Sequence, residues 1–166
     1  MTDNPQRYHP RRIDRQMSPA GQMEVIRKQR FLTLAMCDGC EPYLANFNYA
    51  YSQAGRCFYV HSAPEGRKVG LLRANPKVWG QIIEDCGYEA AKCTHLYRSV
   101  QFEAVAEFVQ DQAEVVRALE MMIDIQSPNP AQLKQKLADT PPSPASVIII
   151  RLRVVGMSGK CNPAEK

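Results

Sequence analysis

The sequence predicts a mainly β protein in which six antiparallel strands close into a small barrel, with short α-helices around it. Short segments of alternating apolar and polar side chains recur along the chain, which is typical of strands that bury one face. Turns too short to contain a helix separate the early segments, which predicts hairpins and argues against a doubly wound parallel sheet. Closure into a barrel would leave no exposed sheet edge.

The first half of the chain predicts a helix followed by a three-stranded meander. Ser18 and Pro19 are typical of a helix start, as N-cap and first helical residue, and the helix is predicted over 20–28. A strand over 31–37 leads into Asp38-Gly39, a strong signal for a tight hairpin turn. The return strand is predicted over 41–51, a polar turn over 52–55, and a third strand over 56–62.

The second half predicts three more strands with helices between them. A short helix over 65–73 is ended by Asn75-Pro76, because the residue before a proline avoids helical backbone. The fourth strand is predicted over 77–84, a loop over 85–95, and a long fifth strand over 96–109. Asp111 is expected to cap a helix that ends near 123. A short helix within the Pro-rich segment 127–144 then precedes the sixth strand, predicted over 146–155.

The overall composition is that of a globular protein. The chain has 166 residues, of which 45% are apolar and 23% are charged, and its net charge is +4. No apolar segment reaches the roughly 18–20 residues of a membrane helix, and the N-terminus lacks the apolar core of a secretory signal. We therefore expect a cytoplasmic protein without a membrane partner. The mild positive charge suits a small anionic ligand better than a nucleic acid.

The polar N-terminus predicts a basic arm over 1–17, ahead of a single domain over 18–160 and a tail over 161–166. The arm carries a basic cluster consisting of Arg7, His9, Arg11, Arg12 and Arg15. Such a cluster could contact phosphates. It includes Asp14 and lacks interleaved aromatic residues, so no nucleic-acid partner is expected.

The segment HSAPEGRKVGLLRANPKV, residues 61–78, places two cations at the start of a predicted helix. The first N–H groups of a helix carry partial positive charge, so Arg67 and Lys68 are unfavourable there by about 0.3–1 kcal/mol each. A bound phosphate would reverse that effect, with Arg67 donating in a fork and Lys68 acting as a point charge. Gly66 would allow close backbone approach. From the residues alone, an ordinary solvated Arg-Lys pair is an equally open interpretation.

This segment resembles the flavin-binding segment of the pyridoxamine 5′-phosphate oxidase-like superfamily. The resemblance rests on the spacing of Ser62, Arg67-Lys68 and Asn75-Pro76. The chain is most similar to the nitroimidazole-resistance branch, and the resemblance runs from residue 11 to residue 160. The motifs shared with that branch are RRIDR at 11–15, Pro42-Tyr43, N-x-x-Y at 48–51, HSA at 61–63, YRSV at 97–100 and AEFV at 106–109.

The resemblance implies a Greek-key split β-barrel that forms a homodimer and binds FMN at the subunit interface. By this resemblance, Arg67 and Lys68 would hold the 5′-phosphate, and Ser62 would bind the phosphate or the edge of the isoalloxazine ring. Asn48, on the neighbouring strand, would hydrogen-bond to the ring or the ribityl chain. Ser99, at the start of the fifth strand, is a further candidate for the same site, contributed by the partner chain.

The same resemblance implies an FMN-dependent oxidoreductase that reduces a small electron-poor substrate, with a nitroaromatic compound as the expected class. His61 would lie beside the flavin as the catalytic residue, and its ordinary pKa near neutrality suits a proton donor. Packing against the flavin ring is the alternative role of His61. For the whole chain, the alternative is a non-catalytic flavin- or haem-binding or sensing protein on the same barrel.

The six cysteines are expected to be free thiols, because the chain lacks a secretory signal. Cys37 and Cys40 form a C-x-x-C around the predicted hairpin tip, a shape known from zinc sites. Cys86 and Cys93, together with His95, could complete a ligand set if their loop folded over the hairpin. The other interpretation is thiols that are close together without a metal, and this is the one expected, so no metal is predicted.

Overall fold

The computed structural model describes residues 12–163 of the chain. Its strands are β1 (Phe31–Asp38), β2 (Glu41–Ser52), β3 (Cys57–Ser62), β4 (Lys77–Glu89), β5 (Thr94–Phe108) and β6 (Ile148–Asn162). Its α-helices are α1 (Pro19–Lys28), α2 (Arg67–Ala74), α3 (Gln112–Gln126) and α4 (Pro130–Asp139). Single turns of 3-10 helix lie at Ile13–Arg15 and Ala90–Lys92.

All six strands pair antiparallel in the order β1-β2-β3-β6-β5-β4, and β4 pairs back onto β1, so the sheet closes into a ring. The predicted mainly β fold of six antiparallel strands with short helices is therefore confirmed. Arg7, His9 and Arg11 of the predicted arm lie outside the described residues, as do residues 164–166 of the predicted tail. No helix within 12–163 has the length and apolar character needed to cross a membrane.

Helix α1 begins as the sequence predicts and is anchored to the ring. Ser18 caps it, since its Oγ accepts a hydrogen bond from the Gly21 N–H at 3.0 Å. At its other end, Glu84 of β4 has a side chain only 5% exposed. That carboxylate accepts a hydrogen bond from Arg98 Nε of β5 at 2.6 Å and pairs with Lys28 of α1. The Arg98 hydrogen bond lowers the pKa of Glu84, and the Lys28 charge acts in the same direction.

The β1–β2 turn is centred one residue later than predicted. Asp38 pairs with Glu41, so the two turn residues are Gly39 and Cys40 rather than Asp38 and Gly39. Gly39 has a φ of +60°, whereas Cys40 is not among the described non-glycine residues with positive φ. A glycine with positive φ at the first turn position is the signature of a type II′ hairpin turn.

The predicted loop over 85–95 is wrong, because β4 continues to Glu89 and β5 begins at Thr94. Tyr88 pairs with His95 and Glu89 with Thr94, so the segment is a projecting hairpin around the 3-10 turn. Its residues from Asp85 to Tyr88 are exposed on both faces. Without a buried face, the segment lacks the alternation from which a strand is predicted.

Strand β6 also extends beyond its predicted end at 155, and it does so through a β-bulge. Glu103 of β5 pairs with Gly156, and the next residue, Ala104, pairs with Val154. Val155 is therefore the extra residue of the bulge. The strand then continues to Asn162. Within this last part, the carbonyl of Gly159 accepts a hydrogen bond from the Met17 N–H at 3.0 Å.

Helices α2 and α3 differ from their predicted bounds only at their ends. Helix α2 begins at Arg67 instead of 65, because Gly66 has a φ of +125° and cannot belong to the helix. Helix α3 starts directly after its predicted N-cap, Asp111, whose carboxylate accepts a hydrogen bond from the Ala113 N–H at 3.1 Å. It ends at Gln126, slightly beyond the predicted end near 123.

The interior of the ring is filled by stacked aromatic side chains. The rings of Phe58 and Phe102 stack with centroids 4.3 Å apart, and Tyr49 meets Phe58 edge-on at 5.4 Å. Gly80 of β4 pairs with Phe102, and a Cβ at position 80 would lie 2.0 Å from Phe102 Cζ. The stacked arrangement therefore requires a residue without a side chain at position 80.

We expect Gly80→Ala to destabilise the protein by about 1–3 kcal/mol, because the added methyl group displaces the Phe102 ring in a filled core. The free energy of unfolding by urea, followed by circular dichroism, measures this loss. Gly70→Ala is the matched control: a Cβ there meets nothing within 4 Å, and alanine within helix α2 should stabilise by about 0.5–1 kcal/mol. Equal unfolding free energies for the two variants would contradict the role given to Gly80.

Candidate functional site

The cation pair lies at the start of α2, directly after the end of β3. Gly66 is the N-cap of α2, and no side chain within the described residues caps this end. The first turn contains no acidic residue. The leading N–H groups of α2 and the two positive side chains therefore face the same region. This combination attracts an anion.

Ser62, the last residue of β3, places an unused hydroxyl next to this helix start. Its side chain is buried at 4% exposure, and its Oγ has no hydrogen-bond partner in the described part of the chain. A buried polar atom without a partner costs about 1–3 kcal/mol. A ligand oxygen at this point would remove that cost, so Ser62 fits the anion site that Arg67 and Lys68 indicate.

Aromatic rings of β2 hold both cations in place. Arg67 Cζ lies 4.7 Å from the ring centroid of Tyr43, and Lys68 Nζ lies 4.8 Å from that of Phe47. Arg67 also approaches the carboxylate of Glu41, with Nη2 and Oε2 3.6 Å apart. Both partners of that ion pair are more than half exposed, so it stabilises the protein by at most about 1 kcal/mol. Arg67 can exchange Glu41 for a more highly charged ligand.

The sequence did not predict Tyr43 and Phe47 as supports of the cation pair. Tyr43 was considered only as part of a motif. Alternate positions of a strand share a face, so the aromatic residues at 43 and 47 could have been assigned to one side of β2. The fold that brings the side chains of α2 against β2, however, cannot be predicted from the order of apolar and polar residues in either element.

His61 lies one residue before Ser62, on the outer face of the ring. It is exposed, whereas Val60 and Ser62 on either side of it are buried, as expected from the alternation of β3. Desolvation lowers the pKa of His61 below 6.5, and the charge of Lys68 lowers it further. The imidazole is therefore mostly neutral at pH 7. Because the charge of Lys68 lowers its pKa, His61 lies within electrostatic reach of the cation pair.

Asn48 joins His61 on the outer face. The β2–β3 ladder pairs Tyr49 with Val60, and the same register sets Asn48 opposite His61 at the next position. The Asn48 amide nitrogen donates to the carbonyl of Arg30 at 3.4 Å. The structure thus places Asn48 and His61 side by side on the outer face near the end of β3, whereas the side chain of Ser62 is buried on the opposite face, just before the helix that carries the cation pair.

Ser99 does not belong to this cluster within one chain. It lies on β5, and β1 and β4 separate β5 from β2 in the ring. In the closed ring β5 lies opposite β2, three strands away in either direction. Its Oγ donates to the carbonyl of Lys160 at 3.4 Å.

The cysteines that could have formed a metal site make other contacts. No group of three or more His, Cys, Asp or Glu side chains that could hold a metal ion is found within residues 12–163. Cys37 Sγ donates to the Gly39 carbonyl at 2.9 Å, and Cys93 Sγ accepts from the Tyr88 hydroxyl at 3.1 Å. His95 Nε2 lies 2.9 Å from the Asp85 carboxylate. The two pairs of cysteines occupy the tips of different hairpins.

Solved structures with this fold come from several bacteria. A candidate 5-nitroimidazole antibiotic resistance protein from Bacteroides thetaiotaomicron has a TM-score of 0.72 at 19% identity, over 88% of this chain and 86% of its own. An FAD-binding protein from Mesorhizobium loti has a TM-score of 0.63 at 22% identity, over 89% and 96%. A flavocytochrome from Azotobacter vinelandii has a TM-score of 0.74 at 14% identity, over 95% and 75%.

Sequence comparison assigns the family. No match to the chain was found among curated proteins. A family model described as pyridoxamine 5′-phosphate oxidase, however, matches residues 19–161, which include β1 to β5, all but the last residue of β6, and every residue of the candidate site. The chain therefore belongs to the pyridoxamine 5′-phosphate oxidase family.

Proposed function

We propose that this protein is a flavoprotein that binds the phosphate of its flavin at Ser62, Arg67 and Lys68. The buried Ser62 Oγ without a partner, next to two cations at a helix start, is the observation that carries the proposal. The Ser62 hydroxyl, both cations and the first N–H groups of α2 would all donate to phosphate oxygens. Membership of the family and the FAD-binding relative support a flavin as the ligand.

FMN is the flavin that this cluster suits best. Two cations and one hydroxyl match a single terminal phosphate, which carries up to two negative charges. With the phosphate at the start of α2, Asn48 and His61 would contact the ring or the ribityl chain along the outer face. Ser99 would reach a flavin only from the partner chain, because β5 lies opposite β2 across the filled ring of its own chain.

We further propose that the protein is an oxidoreductase that reduces a small electron-poor substrate, with nitroaromatic compounds as the class. The fold shared with a candidate nitroimidazole-resistance protein supports this class. A bound flavin would supply hydride or electron transfer. His61 would donate a proton from an imidazole nitrogen to the substrate, because it lies exposed beside the proposed phosphate site.

A second candidate function is flavin or haem binding without catalysis. Relatives of the same fold include the Azotobacter vinelandii flavocytochrome and an FAD- and haem-binding protein from Mycobacterium smegmatis, the latter with a TM-score of 0.67 at 14% identity over 92% of this chain and 76% of its own. A bound flavin that neither NADH nor NADPH reduces, or a Soret band in the purified protein, would favour this function.

We propose that the protein is a homodimer through the outer face of β1, β2 and β4. Phe31, Leu44 and Ile83 on these neighbouring strands are 63%, 64% and 56% exposed. Large apolar side chains clustered on one sheet face are typical of a protein interface. A second copy is the occupant that also brings another Ser99 towards the site. We also propose that the ring is a Greek-key split barrel and that it forms a single domain over residues 18–160. The protein is proposed to be cytoplasmic.

Arg67→Ala/Lys68→Ala should abolish the yellow flavin absorption of the purified protein, because phosphate loses both of its cations. Titration of the apoprotein with FMN, followed by quenching of FMN fluorescence, measures the loss of affinity. Lys134→Ala/Lys136→Ala removes the same charge from helix α4 and should bind FMN like the wild type. If the wild type is colourless and does not bind added FMN, the flavin proposal fails.

The pH dependence of nitroaromatic reduction tests the role of His61. An imidazolium donates a proton and the neutral imidazole does not, so the rate should fall as pH rises through the lowered pKa of His61. Stopped-flow mixing of dithionite-reduced protein with nitrofurazone, over about pH 5 to 7, measures this profile. His61→Gln should flatten the profile, whereas His95→Gln on the projecting hairpin should not. An unchanged profile in His61→Gln would leave His61 only a packing role.

Ile83→Glu should convert the dimer into a monomer, because a buried carboxylate in an apolar interface is strongly unfavourable. Size-exclusion chromatography with light scattering gives the molar mass. Leu133→Glu is the matched control, since Leu133 is 44% exposed on helix α4, away from this face. A wild-type protein that is monomeric at micromolar concentration would refute the dimer.

A further inference from the structure

A cavity lies at one end of the ring, next to the end of β3, and its lining includes none of Asn48, His61, Ser62, Arg67 and Lys68. Its volume is about 410 Å³, within the range of small-molecule sites. It is bordered by the β3–α2 connection, the β5–α3 connection and the segment before β6. The apolar walls consist of Pro64, Phe108, Val109, Val115, Pro142, Pro144, Val147, Ile148 and Ile149.

Arg73, in the last turn of α2, is the one charged residue among those that line this cavity. Its Cζ lies 5.3 Å from the ring centroid of Phe108, which holds the guanidinium at the cavity wall. The polar lining also includes Gln110 and Gln112, and the Gln112 amide donates to the Pro142 carbonyl at 3.4 Å. Within residues 12–163, Arg73 forms no ion pair with a carboxylate.

Among the described residues, the lining holds one guanidinium and no acidic side chain, and this combination determines which ligands fit. A carboxylate would pair with the Arg73 fork in a bidentate geometry, which lysine could not reproduce. The body of the ligand would pack on the apolar side chains, which belong to nine of the twelve lining residues, because burying unpaired polar groups against them is unfavourable. A cation would be repelled by Arg73, and a second negative charge would find no partner.

We propose that this cavity binds a small monocarboxylate with an aromatic or branched apolar body. The carboxylate would lie on Arg73, and the body would pack against the half-buried side chains of Phe108, Val109 and Ile148. This proposal does not depend on flavin binding, because the cavity shares no lining residue with the cluster at Ser62, Arg67 and Lys68.

Isothermal titration with 2-naphthoate and with its neutral counterpart 2-naphthamide tests the proposal on the full chain. The wild type should bind 2-naphthoate saturably and more tightly than 2-naphthamide. Arg73→Ala should weaken 2-naphthoate binding about tenfold or more, since a hydrogen-bonded charge pair is lost, and should leave 2-naphthamide binding unchanged. Arg117→Ala, which removes another exposed arginine outside the lining, should change neither.

A second variant tests whether the ligand occupies the cavity itself. Val147→Trp, at a half-buried loop position, should fill the cavity and abolish binding of both probes while the melting temperature stays near that of the wild type. Val109→Trp serves if that variant does not fold. Unaltered binding of both probes in a folded cavity-filling variant would place the ligand elsewhere and overturn the proposal.

Three other results would overturn it. They are the absence of saturable 2-naphthoate binding to the wild type, equal affinity for 2-naphthoate in Arg73→Ala and wild type, and equal weakening of both probes in Arg73→Ala. The last result would make Arg73 only a wall residue. Flavin absorbance recorded on the same samples separates a failure of this proposal from a failure of the proposed flavin site.

Discussion

The stack of Phe58 on Phe102, which the missing side chain at Gly80 allows, fills the interior of the six-stranded ring. A narrow ring filled by aromatic side chains leaves no interior space for a ligand, unlike the wider barrels that enclose one. Binding must therefore occur at the ends of the ring or on its outer face. Both proposed small-molecule sites follow this constraint, since each lies where strands end and connections begin.

Helix α2 contributes to both sites, one at each end. Its N-terminus presents Arg67 and Lys68, whereas Arg73 lies in its last turn. Along an α-helix, the six-residue step from 67 to 73 spans about 9 Å. A cation in the last turn is also favoured by the partial negative charge of the helix C-terminus, whereas cations in the first turn are not. The unfavourable pair is therefore the stronger indication of a ligand.

The sequence was informative wherever one face of an element is buried. The alternation of β1 to β3, the Ser18 cap and the cation pair were all readable, because each depends on neighbours in the chain. The hairpin over 85–95 was missed because both of its faces are exposed. The separation of Ser99 from Asn48 could not be read, because it depends on the strand order around the ring. The cavity at Arg73 is lined by residues from three segments far apart in the chain, 64–73, 108–115 and 142–149. Such a site cannot be predicted from the pattern of neighbouring residues.

The bulge at Val155 reverses the parity of β6. Before it, the even-numbered residues Leu152 and Val154 point into the ring, and after it the odd-numbered Met157 and Cys161 do so. Deleting Val155 would remove only the extra residue, because Val154, Gly156 and Met157 would then pair in strict alternation with the same residues of β5 and keep their present faces. A substitution at this half-exposed position would change only the surface. The bulge therefore allows the strand to hold one additional residue without changing which side chains on either side of it fill the ring.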